Sequence, residues 1–365
     1  MSRSSSLPSA SLSSKSPLVA RHNLFQVFRA SFCRRPSESG GCRSNSRRLR
    51  RFFKDMRFEH RSFEQNGQHL DEVVDLKNET RIVVSDHGAE LVGVAKRAPG
   101  GDWVGYLYRD GDTTVPASGW KSHATVMGYF IHRLVGERTL YEGEEIRGGN
   151  HSFIRTKVFA APEVLISKEN ATLRYRLPAE AIEKKEYPRQ VAFLLDYVLS
   201  GEDLNVVFSF ANQEQNRPAH VSFGLHPGFR VSSIDDARII LPRGNYRRYL
   251  APGNFLSGET VDFSSAGDSF PCKPFELPDS FLIQPVDVDE YVVKLQDLKE
   301  RREVQIDLSE APFFTIWSDL NPFICIEPCW GLPDHKEQEP FEKKVGIQVI
   351  EPQGTLSRQC NFRFL

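Results

Sequence analysis

Apolar residues along this chain come in short runs separated by turn-forming residues, and they almost never recur at the three-and-four spacing of an amphipathic helix. Thr80–Ser85 is rich in β-branched residues and is followed by the turn Asp86-His87-Gly88, with residues 90–94 as the next strand. The cluster Ala98-Pro99-Gly100-Gly101-Asp102 then breaks the chain. Runs at 190–199, 204–210, 237–241, 291–295, 304–308, Phe313–Trp317 and 346–350 read the same way, and Ser200-Gly201-Glu202-Asp203 is a hairpin break. Helical spacing occurs only over residues 179–185, enough for a turn or two before Pro188 ends it. Many short strands, few helices and no internal repeat predict an all-β fold, a large sandwich or barrel, in one domain over residues 56–365.

One stretch departs from plain strand chemistry. Phe323-Ile324-Cys325-Ile326 is a continuous apolar run, which predicts a strand buried on both faces. Glu327 follows it, and Pro328, having no N–H to donate, is expected to stop the ladder. A carboxylate at the end of a buried strand is rare unless it is paired or chemically employed. A structural ion pair or a solvent-facing strand end would also account for Glu327, so its meaning depends on what else the chain carries.

Composition narrows the partners. The 365-residue chain has a formal net charge of −1, which favours neither nucleic acid nor a membrane surface. No apolar run approaches the roughly 18 residues of a membrane span. The six cysteines (Cys33, Cys42, Cys272, Cys325, Cys329 and Cys360) show no CxxC spacing, the pattern of free thiols in a reducing compartment. Residues 1–55 stand apart: they are rich in Ser and Arg, Glu38 is their first carboxylate, and Arg47-Arg48-Leu49-Arg50-Arg51 lies near their end. Such a segment cannot bury a core. It fits an organelle transit peptide, which implies a plastid or mitochondrion. A plain disordered tail, or an upstream extension with Met56 as the domain's own start, would leave the protein cytoplasmic.

Three polar clusters carry candidate chemistry. The first runs from Gly128-Tyr129-Phe130-Ile131-His132-Arg133-Leu134, through an expected hairpin at Tyr141-Glu142-Gly143-Glu144, to Gly148-Gly149-Asn150-His151-Ser152-Phe153-Ile154-Arg155. Arg133 and His151 on neighbouring strand ends could grip hydroxyl groups, because Arg offers a fork of donors and neutral His one donor and one acceptor. Ordinary surface loops would carry the same residues. The second cluster is Ser222-Phe223-Gly224-Leu225-His226-Pro227-Gly228-Phe229, where His226 sits between an apolar strand and a Pro-Gly turn. Imidazole is suited to proton transfer near neutrality, although a lone histidine is usually structural. The third is Glu327, with Trp317 and Trp330 as an aromatic floor or as plain core. A carboxylate and an imidazole held across a pocket make an acid/base pair. No nucleophile elbow, phosphate loop, dinucleotide fingerprint or metal-ligand spacing is present, so no cofactor is expected.

These clusters, in this order, resemble the aldose 1-epimerase (galactose mutarotase-like) family over about residues 75–360. Ser85-Asp86-His87-Gly88-Ala89-Glu90-Leu91 is similar to its early strand-turn-strand. Arg133 and the His151 to Arg155 segment resemble its substrate-binding Arg and its His-Gly-Phe-x-Arg. Phe223 to Phe229 resembles Gly-x-His-Pro-Tyr-Phe, and Phe323 to Gly331 resembles the Glu-Pro-Trp-x-Gly strand. The resemblance implies a β-sandwich of the galactose mutarotase type (a supersandwich) with a monosaccharide pocket on a concave face, as monomer or homodimer. It makes Glu327 the general base, His226 the general acid, and Arg133, His151 and Arg155 substrate-binding. Glu327 would take the C1 hydroxyl proton, His226 would protonate the ring oxygen, and the opened sugar would rotate and close as the other anomer. Burial beneath Phe323 and Trp330 would raise the pKa of Glu327. Three departures mark the chain: Gly228 replaces Tyr after His-Pro, Cys329 intervenes before Trp330, and Ser152 stands where Gly follows His. The match puts all three at the pocket rim. The family's additional substrate-binding Asp has only a loose counterpart in Asp279.

Two other readings compete. A hexose-6-phosphate 1-epimerase would need a cationic grip on a dianion, for which Lys121, Arg147, Arg155 and Arg230 are candidates. A non-catalytic carbohydrate-binding protein on the same fold would have no use for both Glu327 and His226.

Overall fold

Almost every strand expected from β-branched runs forms, and the turn chemistry sets its neighbours. The computed structural model describes residues 56–270 and 274–365; the readings placed on residues 1–55, and on Cys33, Cys42 and Cys272, lie outside the described residues. Thr80–Ser85 and Phe313–Trp317 form with the expected bounds. The Ser200-Gly201-Glu202-Asp203 break is a tight hairpin between Val191–Ser200 and Asp203–Asn212. Along Asp203–Asn212 half-buried and buried residues alternate strictly, the signature of a sheet with one face on the core and one toward water.

The described strands pair antiparallel into two eight-stranded sheets, a five-stranded sheet and a two-stranded hairpin. The hairpin is the one expected around Glu142-Gly143, joining Arg138–Tyr141 to Glu144–Arg147. The two large sheets face each other across a continuous apolar core. Phe208 of one sheet packs against Phe223 and Trp330 of the other, and Phe362 meets Phe229 in the same way. The all-β sandwich expected from the sequence is the observed architecture.

The second large sheet matters for chemistry. In spatial order it runs Thr260–Ser265, Gly244–Tyr249, Phe281–Val288, Phe313–Trp317, Phe323–Trp330, Ala219–Arg230 and Gln348–Ile350, with Ala124–Tyr129 also paired to Ala219–Arg230. Two expectations are corrected here. Pro328 does not stop its strand: Phe323–Trp330 continues through it, pairing Phe314 with Pro328 and Phe313 with Cys329. Proline's φ suits extended backbone, so the missing N–H removes one rung rather than the strand. Nor does His226 precede a turn, because Ala219–Arg230 runs unbroken through His226-Pro227-Gly228. The helical stretch at 179–185 shrinks to the single 3₁₀ turn Ala179–Ala181. Among the described residues no helix is long and apolar enough to cross a membrane.

The early motif has a packing role. Gly88 has a φ of 70° and donates its N–H to Lys157 O at 2.7 Å. A Cβ on Gly88 would lie 2.9 Å from the Cα and carbonyl oxygen of Arg155. Gly88→Ala therefore combines a left-handed backbone with a clash against main chain, and should cost about 2–3 kcal/mol. Urea unfolding should show a lower midpoint at unchanged slope; a midpoint equal to wild type would remove Gly88 from the support of the Arg155 turn.

Candidate active site

Strand alternation sorts the site from the core. On Phe323–Trp330 the even positions Ile324, Ile326 and Trp330 join the inter-sheet core, so Phe323, Cys325, Glu327 and Cys329 face the other way. On Ala219–Arg230, Phe223, Leu225 and Phe229 point into that core, which puts Ser222, Gly224, His226 and Gly228 on the opposite face. The pairs Gly224 with Cys329 and Gly228 with Cys325 bracket the register, so His226 lies directly opposite Glu327. Thr125 pairs with His226 on the far side, and Thr315 pairs with Glu327. Four strands thus contribute one polar row: Thr125, His226, Glu327, Thr315. Gly228 N–H points to His123 O, away from the Glu327 strand. By parity His226 and Glu327 form a non-hydrogen-bonded pair, the type whose side chains lie closer together.

His226 Nε2 and Glu327 Oε1 are 3.3 Å apart and both side chains are buried. The expected pairing across a pocket is in fact a side-by-side pair on its floor. Burial disfavours charge on either group. It pushes the Glu327 carboxyl well above the usual range, and together with the neighbouring His132 it lowers His226 to about 3. Glu327 Oε2 and His226 Nδ1 are buried without a hydrogen-bond partner among the described residues. Two buried groups that each resist charge hold one proton between them.

That pair lies in a cleft of about 550 Å³ lined by Arg133, His151, Arg155, His226 and Glu327. All five residues singled out from the sequence therefore line one cavity. The His151 N–H donates to His132 O, and His151 Nδ1 accepts a hydrogen bond from the His132 N–H at 3.2 Å. His151 must then carry its proton on Nε2, which is left as a donor for a ligand. His132, His151 and Ser152 all have φ near 60°, backbone that bulky residues adopt at a cost. Ser152, where the family pattern has Gly, pays that cost and is buried, with its Oγ unpartnered among the described residues. Asp334 anchors the Arg133 segment: its N–H donates to Arg133 O, its carboxylate accepts from Val135 N–H, and it forms a buried ion pair with Lys344. Glu90, from the early motif, accepts hydrogen bonds from the His123 N–H and the Thr125 hydroxyl.

Several lining residues were not anticipated. Trp120, Asn150, Ser280 and Asp319 come from loops and Asn254 ends the 3₁₀ turn Pro252–Asn254, where no periodicity marks them. Trp120 stacks on His226 with ring centres 5.1 Å apart, and Trp317 meets His226 edge-on at 5.5 Å. Trp330, which the sequence left open between floor and core, is on the core side, stacked on Phe223. The three departures are not rim residues either. Gly228 lies beneath Trp120, Cys329 is fully buried, and Ser152 is buried. Asp279 is exposed and only its neighbours Pro278 and Ser280 line the cleft.

Burial of three imidazoles should make the fold sensitive to acid. Burial lowers His132 to about 4, His226 to about 3 and His151 well below the ordinary value. An unfolded imidazole takes up a proton below about pH 6.5. These groups hold the fold fully only above that pH, and their contribution is lost as pH falls toward the folded values. Each accounts for up to about 1.4 kcal/mol per pH unit in that window. Glu327, whose folded pKa is raised, has the opposite slope and offsets one of them above its unfolded value of about 4.5. His132→Gln should flatten the loss of stability between pH 6.5 and 4.5 by about one proton's worth. Urea unfolding at three pH values in this range measures the slope; an unchanged slope would mean that His132 titrates normally.

Comparison with known proteins agrees with this architecture. The aldose 1-epimerase family model matches residues 72–363. A search of curated sequences finds no significant match. Among solved structures, a galactose mutarotase related enzyme from Lactobacillus acidophilus is 22% identical with a TM-score of 0.68, covering 84% of this chain and 97% of its own. A galactose mutarotase-like protein from Lactobacillus casei is 20% identical with a TM-score of 0.67, covering 84% and 100%. A galactose 1-epimerase from Lactobacillus acidophilus is 11% identical with a TM-score of 0.63, covering 85% and 99%. The structural likeness at these identities speaks to the fold, and the sequence match to the family model covers most of the chain: it belongs to the aldose 1-epimerase family.

Proposed function

We propose that this protein is an aldose 1-epimerase that interconverts the α and β anomers of a free hexose by acid/base ring opening. The observation that carries this reading is the buried His226–Glu327 pair, 3.3 Å apart on the floor of a cleft with Arg133, His151 and Arg155 in its walls. In a pyranose the C1 hydroxyl oxygen and the ring oxygen are bonded to the same carbon. Two adjacent side-chain atoms can therefore address one oxygen each. Family membership supports a carbohydrate epimerase; the free hexose and the roles below are those that the family resemblance implies, and the geometry of the cleft is compatible with them.

The proton count fits the reaction. With sugar bound, the pair acts as Glu327 carboxylate and His226 imidazolium. Glu327 takes the C1 hydroxyl proton while His226 protonates the ring oxygen, the C1–ring-oxygen bond breaks, and C1 becomes an aldehyde. The pair is now a neutral carboxylic acid beside a neutral imidazole, the arrangement that burial favours in the empty cleft. Rotation about C1–C2 presents the other face of the aldehyde. His226 then takes the proton back as the ring oxygen attacks C1, and Glu327 returns a proton to the carbonyl oxygen. One proton stays on the pair at each stage, and each group is worth ~10² to 10⁴ in rate. The His151 Nε2–H and the Arg133 and Arg155 guanidinium groups would hold the remaining hydroxyls.

One observation favours a phosphorylated sugar as the second reading. Lys121, Arg133 and Arg155 all line the cleft. Neither Lys121 nor Arg133 has a carboxylate partner among the described residues. Arg147, considered for the same task, pairs with Glu145 instead.

Polarimetry on freshly dissolved α-glucose, α-galactose and a hexose phosphate separates these readings. Wild type should speed the approach to anomeric equilibrium for at least one of the free sugars, and a preference for the phosphate would favour the second reading. Glu327→Gln and His226→Asn should each lower the rate at least ~10²-fold, with sugar affinity changed less than about tenfold. Near-normal turnover in either variant would exclude that residue from the chemistry. Sugar binding without turnover in wild type would identify a binding protein.

A further inference from the structure

Three details converge on Trp120, a loop residue outside the family motifs. First, the ring occupies space that the sequence leaves open: a Cβ at Gly228 would lie 2.2 Å from Trp120 Cζ3 and 2.9 Å from Cη2. No side chain larger than hydrogen fits on that strand position while Trp120 is in place. Second, the indole spans the site floor. It stacks on His226 at 5.1 Å and on Phe323 at 5.0 Å, each with an interplanar angle of 26°. Third, the residue's main chain is anchored. The Trp120 backbone N–H donates to Asp319 Oδ2 at 2.9 Å, while Asp319 Oδ1 receives hydrogen bonds from Asn321. The ring is only half-buried and lines the cleft beside His226 and Glu327.

We infer that Trp120 is the positioning residue for His226 and, through its cleft-facing surface, a stacking face for the apolar C–H side of a pyranose. Aromatic faces favour such C–H surfaces because they bury apolar area without demanding a hydrogen bond. The same ring covers His226 and excludes water from it, which keeps the imidazole fixed beside Glu327 and, in the empty cleft, neutral. The aromatic group that the resembled motif carries on the strand, at the position of Gly228, is in this chain delivered by a loop. The functional half of the inference rests on the epimerase reading; the positioning half rests on geometry alone.

The test compares Trp120→Ala, Trp120→Phe and Gly228→Ala with wild type in the full chain. Gly228→Ala leaves Trp120 intact but forces it off the floor, so it should reproduce Trp120→Ala. Two readouts are used. The first is turnover on the sugar that wild type accepts: both disruptive variants should lose at least tenfold in kcat and raise KM, and Trp120→Phe should recover most of the loss. The second is the titration of the His226 ring by NMR, assigned by difference against His226→Asn. Around that ring stand Glu327 and Cys325 on the adjacent strand, His132 and His151 on loops and Arg155 on its turn, all retained in these variants. Loss of the indole should therefore hydrate His226 and move its titration up toward the ordinary value of about 6.5.

An unmoved His226 titration in both disruptive variants overturns the positioning role, whatever happens to turnover. A moved titration with kcat and KM within twofold of wild type overturns the role in sugar handling. Absence of turnover in wild type counts against the epimerase reading and leaves the NMR arm to decide on Trp120. If Trp120→Ala does not fold, Gly228→Ala and Trp120→Phe carry the same comparison.

Discussion

The site depends on one constraint: a carboxyl and an imidazole are placed opposite each other in a β-ladder and kept dry. Register alone brings His226 and Glu327 together, since their strands pair on both sides of them. Burial then decides their chemistry. In water a carboxylate and an imidazole near neutrality would titrate separately, with pKa values about two units apart. Under the sheet's cover both groups resist charge, so the pair keeps a single proton over a wide pH range. Anomer interconversion needs a site that gives and takes one proton at neighbouring oxygens with no net change.

The rest of the structure protects that arrangement. The opposing sheet, through Phe208 against Phe223 and Trp330, fixes the back of the two strands. The front is set by loops that are themselves tied down: Asp334 holds the Arg133 segment and pairs with Lys344, Glu90 holds the start of the Thr125 strand, and Gly88 lets its turn sit against Arg155. A buried ion pair such as Asp334–Lys344 adds little net stability, but it specifies where its loop must lie. The cost of the site is borne at His132, His151 and Ser152, whose left-handed backbone is paid for by the surrounding packing.

Strand content was legible because β-branched runs and Gly/Pro turns are local signals, as at Thr80–Ser85 and Phe313–Trp317. The five candidate residues were legible through a family resemblance, and they converge on one cleft. What stayed hidden was everything that depends on pairing. Pro328 and the His226-Pro227-Gly228 segment look like strand ends to a local rule, yet both lie within ladders that their neighbours complete. Trp330 and Trp120 could not be sorted by residue type: alternation sends the first to the core, and a loop brings the second to the site. The side-by-side geometry of His226 and Glu327 follows from register, which no single strand records.

The central claim is that one shared, buried proton drives ring opening. NMR saturation transfer between the α and β anomeric protons, measured on the purified protein from pH 4 to 8, tests it most directly. The account predicts a broad plateau. The rate should hold through mild acid because His226 resists a second proton down to about 3, and hold past pH 6.5 because the raised Glu327 keeps the last one. A narrow bell confined between about 4.5 and 6.5, the ordinary carboxyl and imidazole values, would contradict it and show two independent, solvated groups.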